Sequence, residues 1–482
     1  MPNSASIYWY DLETFGIDPR KDRIVQFAGI RTDEDLNVIG EPLVQYCKPA
    51  DDMLPSPESC LVTGITPQKA LQEGIHEAAF MDRISAEFLR PGSCVCGYNN
   101  IRFDDEFVRY TLYRNFYDPY EREWKNGNSR WDIIDMVRLT RALRPDGIEW
   151  PWRDDGLPSF RLDELTVANQ IEHANAHDAL ADVHATIAIA RLIRDRQRKL
   201  FDFVYSLRSK HQVALQFNVK EHKPVVHTSG MFSSQYFCTT VVAPVAMHPT
   251  NKNGVIVYDL REDPTVLLDL SIEDIQKRVF TAKDDLADDE TRIPLKTIHL
   301  NKCPVVVPLS TLDAESQQRI QLDMALCERH LAVIQSHPLL EKKISQVFHH
   351  KGFAPTDDPD QQLYQGFFNE ADKGTMQEIR NSTPEQLAQQ EFFFNDARLP
   401  ELLFRYRARN WPDSLSAQEK VLWETFRRHR ITDPEGGGSI SIDEYNRRLN
   451  EISGAAETTT SQQAIITALR DYAQSLLGDP AQ

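Results

Sequence analysis

At 482 residues the chain is too long for one compact domain, and ~150 residues per domain sets an expectation of two to four units, each able to bury a core. Hydrophobic residues make up 41% and charged residues 26%, which excludes a disordered or fibrous chain. Lys and Arg total 54 against 72 Asp and Glu, a net charge of −18, so the overall field excludes a histone-like polyanion binder and any nucleic acid must meet a local basic surface or a metal.

The elements expected in chain order begin with a buried strand at Ile7–Leu12. Strands at Ile24–Arg31 and Val38–Cys47 follow, giving a three-stranded antiparallel start. Helical spacing covers Glu77–Leu89, a short apolar strand covers Ser93–Gly97, and a second helix runs from Phe103 to Arg114. The clearest helix is Ala176–Lys199, with Leu180, Val183, Ile187 and Ala190 on its repeat. Mixed strands with flanking helices predict an α/β layer fold. From Arg191 to Lys223 nine positive residues face three acids, a local reversal of the chain's charge that also suits a solvated helix end. Strands at Phe237–Ala246, Val255–Leu260 and Pro304–Leu309 predict a small β domain. The Pro/Asp-rich stretch Ala354–Asp360 reads as a linker into a helical tail.

The seven cysteines are scattered without a C-x-x-C, as reduced thiols would be, which argues against a zinc knuckle. The amino terminus carries no secretory pattern and no run approaches a membrane span, so a cytoplasmic protein with no membrane association is expected.

The chemistry-bearing residues start with Asp11 and Glu13. Residues two apart on a strand share a face, so their carboxylates project together and repel, and hard oxygen ligands so placed suit Mg²⁺ or Mn²⁺. A second element is Asn100-Ile-Arg-Phe-Asp104, where Asp104 stands near a helix start. Capping explains an acid there, and if Asp105 caps instead, Asp104 is left for a site. A third is His177-Asp-Ala-Leu-Ala-Asp182, whose two ends converge only if His177 lies in the approach loop and Asp182 inside the helix.

In this order the motifs resemble those of the DEDDh exonucleases of the DnaQ-like, RNase-H-like superfamily, with Asp11, Glu13, Asp104 and Asp182 as the four acids and His177 as the histidine. Further segments, among them Asp11-Leu-Glu-Thr-Phe-Gly16, Thr63-Gly-Ile-Thr-Pro67, Asn301-Lys-Cys-Pro304, Tyr364-Gln-Gly-Phe-Phe368 and Tyr406-Arg-Ala-Arg-Asn410, resemble the bacterial exodeoxyribonuclease I family over nearly the whole chain. The resemblance implies an RNase-H-like exonuclease domain with a mixed sheet (1–198), an SH3-like β-barrel domain (199–350) and a helical C-terminal domain (351–482). It implies 3′ to 5′ degradation of single-stranded DNA to 5′-mononucleotides in DNA repair and recombination. Two Mg²⁺ ions, with Mn²⁺ as a substitute, would be held by Asp11, Glu13 and Asp182, with Asp104 assisting and His177 as general base.

Glu13 would also touch the substrate's terminal hydroxyl. Arg109, Tyr120, Trp124, Arg138, Phe160 and Arg161 are the expected DNA contacts in the first domain, with Lys210, Asn253 and Lys302 further on. The basic segment and the set Arg405, Arg407 and Arg409 are expected to line the rest of the path. Arg144, Phe203 and Lys223 would take the acidic C-terminal tail of a single-strand-binding protein, although Asp313 and Glu328 depart from the family there. A monomer is expected. The alternatives are a 3′–5′ exoribonuclease and a non-catalytic single-strand-binding scaffold. Asp433–Glu444 imitates a calcium loop, but Pro434 at its second position and Gly437 at its fifth favour a glycine-rich helix connector.

Overall fold

The computed structural model describes residues 5–173, 178–288, 290–349 and 356–478. The chain divides into two compact units. Unit 1 comprises 1–128, 174–184 and 354–482, and unit 2 comprises 129–173 and 185–353.

Unit 1 is built on strands β1 (Ser6–Thr14), β2 (Ile24–Thr32), β3 (Leu43–Tyr46) and β4 (Ser93–Gly97), in the order β3-β2-β1-β4. The first three pair antiparallel, as expected, while β1 and β4 run parallel, so the sheet is mixed. Strand period 2 divides β1 between two faces. Tyr8, Tyr10 and Leu12 pack with Phe27, Phe80, Phe88, Phe107 and Leu112 against the helices Glu77–Phe88 and Asp104–Arg114. Each such buried apolar side chain contributes about 1.5–3 kcal/mol. Asp11 and Glu13 are thereby sent to the opposite face.

The expected strand Val38–Cys47 shrinks to β3 because Gly40 has φ of +87° and Pro42 has no N–H to donate. Val38 keeps only an isolated bridge to Thr32.

The helical C-terminal segment shares cores with this sheet. Phe15, Val25, Leu54 and Ile65 pack with Tyr445, Leu449, Ile466, Leu469 and Tyr472, while Tyr110, Tyr113 and Phe116 pack with Leu363, Met376, Ile379 and Tyr406. The described part of the stretch read as a linker, residues 356–360, is no exposed tether. Asp360 is fully buried and accepts from Arg405 at 2.9 Å and from Arg409 at 3.0 Å. Asp358 accepts from Arg430 at 2.9 Å, and Asp52 accepts from Arg409 at 2.8 Å. Arg405 and Arg409 do share a helix face, on Leu399–Asn410, but their charges are spent inside this network, and Arg407 is paired with Glu419. None of the three is left for a phosphate. Between the helices Ala417–Thr432 and Ile442–Gly454, Gly436 and Gly438 lie against the backbone of His429 and Arg430, so the calcium-like stretch is a tight connector.

Unit 2 opens with β5 (Ser129–Asp132) and carries a five-stranded sheet of β6 (Val225–Thr228), β7 (Thr239–Met247), β8 (Gly254–Asp259), β9 (Leu295–His299) and β10 (Val305–Pro308). Its order is β10-β6-β7-β8-β9, antiparallel throughout, around a core that includes Val225, Val242, Val257, Ile298 and Val306.

Candidate active site

The end of β1 sets the site. Asp11 lies opposite Ala28 and Glu13 opposite Gln26, and the register shifts directly after Glu13. Beside them runs β4, whose last residue must be glycine, since a Cβ on Gly97 would stand 2.8 Å from the carbonyl oxygen of Tyr10. Asn99, with φ of +65°, then turns the chain into the helix Asp104–Arg114.

Asp104 is buried in the first turn of that helix. Its start lies one residue later than expected, and no side chain caps it. Asp105 does not act as the cap. It points to the other face of the sheet, fully buried, where it accepts from the Tyr10 hydroxyl at 2.6 Å and from Arg122 Nη2 at 2.6 Å. This ion pair ties the first turn of the helix to β1. Sequence reasoning missed Arg122, which sits in a polar 3₁₀ turn with no motif around it.

The fourth acid arrives from the helix Ala179–Arg196, which holds Asp182 in its first turn as expected. Asp178 caps this helix by accepting from the Ala181 amide at 3.2 Å. His177 lies outside the described residues. Carboxylate oxygens of Asp11, Glu13 and Asp182 all fall within 4.8 Å of one another.

Electrostatics sharpen the picture. Burial, then the charges of Asp104 and Asp182, holds the Asp11 carboxyl well above the ordinary carboxylate range. Burial, then Asp11 and Asp182, pushes Glu13 up to about 9, and Asp178 adds to the repulsion on both. Hard oxygens this close, with their ionised forms opposed, fit a divalent cation, which would restore the charged state they resist.

The expected DNA contacts fall into two groups. Trp124 is 63% exposed and Arg161 is exposed beside Asp163 at 2.9 Å; Lys210 and Lys302 are also exposed. The others are engaged. Arg109 is buried between Glu106 at 2.7 Å and Glu123 at 2.8 Å, with the Tyr120 ring 5.3 Å away. Arg138 pairs with Asp135 at 2.6 Å and lies 5.7 Å from the Phe160 ring, and Asn253 is half-buried. Sequence reasoning quoted Tyr364–Phe368 without nominating its aromatics, yet Phe367 is 85% exposed and its ring meets that of Tyr120 at 5.6 Å. An aromatic run inside a polar loop was the available signal.

In unit 2, Arg144 and Phe203 line a cavity of about 320 Å³ together with Leu139, Lys199 and Val307. Lys223 is exposed. Arg144 pairs with Asp313 at 3.1 Å, and Asp313 also caps the helix Ala314–Arg319.

A mixed sheet that carries two carboxylates on one strand end, joined by a third from a helix start, agrees with the family match over this domain, and together they set the class as an RNase-H-like exonuclease. Comparison with known proteins narrows it. Residues 8–190 match the Exonuclease family, 208–350 the Exonuclease I SH3-like domain and 357–476 the Exonuclease I C-terminal domain. Exodeoxyribonuclease I of Escherichia coli strain K12 is 45% identical over 98% of both chains. Among solved structures, exonuclease I from Methylocaldum szegediense is 52% identical with a TM-score of 0.94, covering 98% of this chain and all of that one. The zinc-bound complex of E. coli exonuclease I with single-stranded DNA is 44% identical with a TM-score of 0.94, over 99% and 100%. The chain belongs to the exodeoxyribonuclease I family. Among the described residues no helix is long and apolar enough to cross a membrane.

Proposed function

We propose that the chain is an exodeoxyribonuclease I that removes 5′-mononucleotides from the 3′ end of single-stranded DNA in repair and recombination. The observation that carries this reading is the meeting of Asp11, Glu13 and Asp182 within 4.8 Å. A binding scaffold has no use for buried acids that repel a phosphate. Similarity reaching well beyond the exonuclease domain favours DNA over RNA as substrate.

Asp11, Glu13 and Asp182 would hold the metal, which we take to be two Mg²⁺ ions, with Asp104 beside Asp11 completing the negative site. Held there, divalent ions would supply charge to neutralise the phosphate and activate the attacking water. Glu13, at the strand end, would accept from a terminal 3′-hydroxyl. A ring nitrogen of His177 is assigned the proton of the water. Trp124, Tyr120, Phe160 and the newly found Phe367 offer faces for unpaired bases, and Arg161, Lys210 and Lys302 offer charge for phosphates. Arg109 and Arg138 act through packing, holding Tyr120 and Phe160.

Along the sequence we assign 1–198 to the exonuclease domain, 199–350 to the SH3-like domain and 351–482 to the C-terminal domain. We further assign the cavity at Arg144 and Phe203, with Lys223, to the acidic tail of a single-strand-binding protein. The protein is taken as a cytoplasmic monomer.

End-labelled single-stranded DNA, duplex DNA and RNA with Mg²⁺ test the reading together. Mononucleotides should appear from the 3′ end of single-stranded DNA alone, and chelator should stop their release. Full activity in chelator would defeat the metal scheme, and equal loss of RNA would favour an exoribonuclease.

A further inference from the structure

In unit 2 a hairpin over residues 151–159 carries an exposed tryptophan above a buried cation. Trp152 bridges to Pro158, the Arg153 amide donates to the Leu157 carbonyl at 2.8 Å, and Gly156 turns the chain with φ of +77°. Arg141, on the helix Ile134–Leu143, clamps both legs, its Nη1 donating to the carbonyls of Pro151 at 2.7 Å and Ser159 at 2.9 Å.

Aromatic rings close around that guanidinium. Its carbon lies 4.5 Å from the Trp152 ring centre, 5.5 Å from Phe160, and 5.6 Å from both Trp150 and Phe237. Phe237 also meets Trp152 edge-on at 6.2 Å. Arg141 is buried, and burial with no acid beside it pushes it down to about 10. The rings and the two carbonyls therefore carry the charge that a carboxylate would otherwise carry. Trp150 is tied inward, giving Nε1 to the Pro145 carbonyl at 2.9 Å. Trp152 is different, for it is 59% exposed. A ring needed only to cover the guanidinium would bury most of its surface. Held by the cation beneath it, this one keeps much of its surface in water, in an orientation already fixed before anything binds.

We propose that Trp152 is a stacking platform for an unpaired base of the DNA strand, an inference that rests on the reading of the chain as a single-strand nuclease. It shares Arg141 with Phe160, already assigned to base contact, so the two rings form one aromatic surface around one cation. Every base has a flat face, so such a surface holds a strand without selecting its sequence.

Fluorescence anisotropy on the full chain in Ca²⁺ decides it, with a labelled oligothymidylate and an abasic strand of the same length and charge as probes. Trp152→Ala should weaken binding of the oligothymidylate about fivefold to a hundredfold, while Trp152→Phe, which keeps a flat face, should stay within about threefold of wild type. The abasic strand should bind wild type and Trp152→Ala alike. The dependence of affinity on salt should keep its slope, because a stacked base releases no counterions. Trp152→Leu keeps an apolar cover over Arg141 without a face for stacking, so it should show the same loss and keeps the test decisive if Trp152→Ala fails to fold. Unchanged affinity for the oligothymidylate in Trp152→Ala and Trp152→Leu, equal loss on both strands, or a shallower salt slope overturns the proposal. A wild-type chain that binds neither strand and releases no mononucleotide defeats the nuclease reading and this inference with it, whereas a wild-type chain that degrades DNA beside unaffected variants defeats this inference alone.

Discussion

Replacing Glu13 with Gln should make the metal-free chain more stable and the enzyme inactive. In the folded chain burial and the acids around it raise Glu13 from its ordinary 4.5 to about 9. A group whose folded value lies above its unfolded one contributes stability that is complete below the unfolded value and is lost as pH rises toward the folded one. The window is therefore about pH 4.5 to 9, and within it one such carboxyl costs ~1.36 kcal/mol per pH unit. Between about pH 6 and about pH 8 that amounts to about 2.7 kcal/mol. Gln is nearly isosteric and uncharged, so the advantage of Glu13→Gln over wild type in chelator should grow by about this amount across the interval. Taking the difference between the two chains cancels every titrating group except the acids that repel Glu13, namely Asp11, Asp182 and Asp178, which the variant also relieves. Mg²⁺ should reverse the order, because ligand binding to the native state adds stability that the variant has lost the carboxylate to gain. Urea unfolding at several pH values, with chelator and with Mg²⁺, measures both effects. A pH-independent difference, or a variant less stable than wild type at pH 8 in chelator, would refute the argument.

Other outcomes follow from single contacts. Asp360→Ala leaves Arg405 and Arg409 buried without their shared acid, so urea unfolding should report a loss of about 3–5 kcal/mol. Asp105→Ala should cost a similar ~3–5 kcal/mol by stranding Arg122. It should also lower kcat with little change in single-strand affinity, since the helix start that carries Asp104 loses its tie to Tyr10. Unchanged kcat would free Asp105 from any positioning role. Phe367→Ala touches no core, so stability should hold within about 0.5 kcal/mol while single-strand affinity falls by about 1–3 kcal/mol, read by fluorescence anisotropy in Ca²⁺.

Much of the site was legible because its signals are local. Period-2 alternation alone places Asp11 and Glu13 on one face of β1, and helical periodicity alone puts Asp182 inside its helix. The three-stranded antiparallel start follows from turn residues between apolar runs, and only the shortening of β3 by Gly40 and Pro42 was misjudged.

What the local pattern left open was the partner of each charge. A sequence shows that Arg405 and Arg409 lie one helical turn apart, but burial is a property of everything packed around a helix. Only the folded chain brings Asp52, Asp358 and Asp360 to those guanidinium groups and withdraws them from any phosphate. The same holds for Asp104 and Asp105. Adjacent and chemically identical, they are sent to opposite faces of the sheet by Tyr10 and Arg122, which come from separate parts of the chain. Periodicity is written into neighbouring residues, and so the elements and the acids they carry were decided by the sequence. Charge pairing is decided across distances that no local pattern spans, and so the tertiary structure alone chose which ions build the core and which face the substrate.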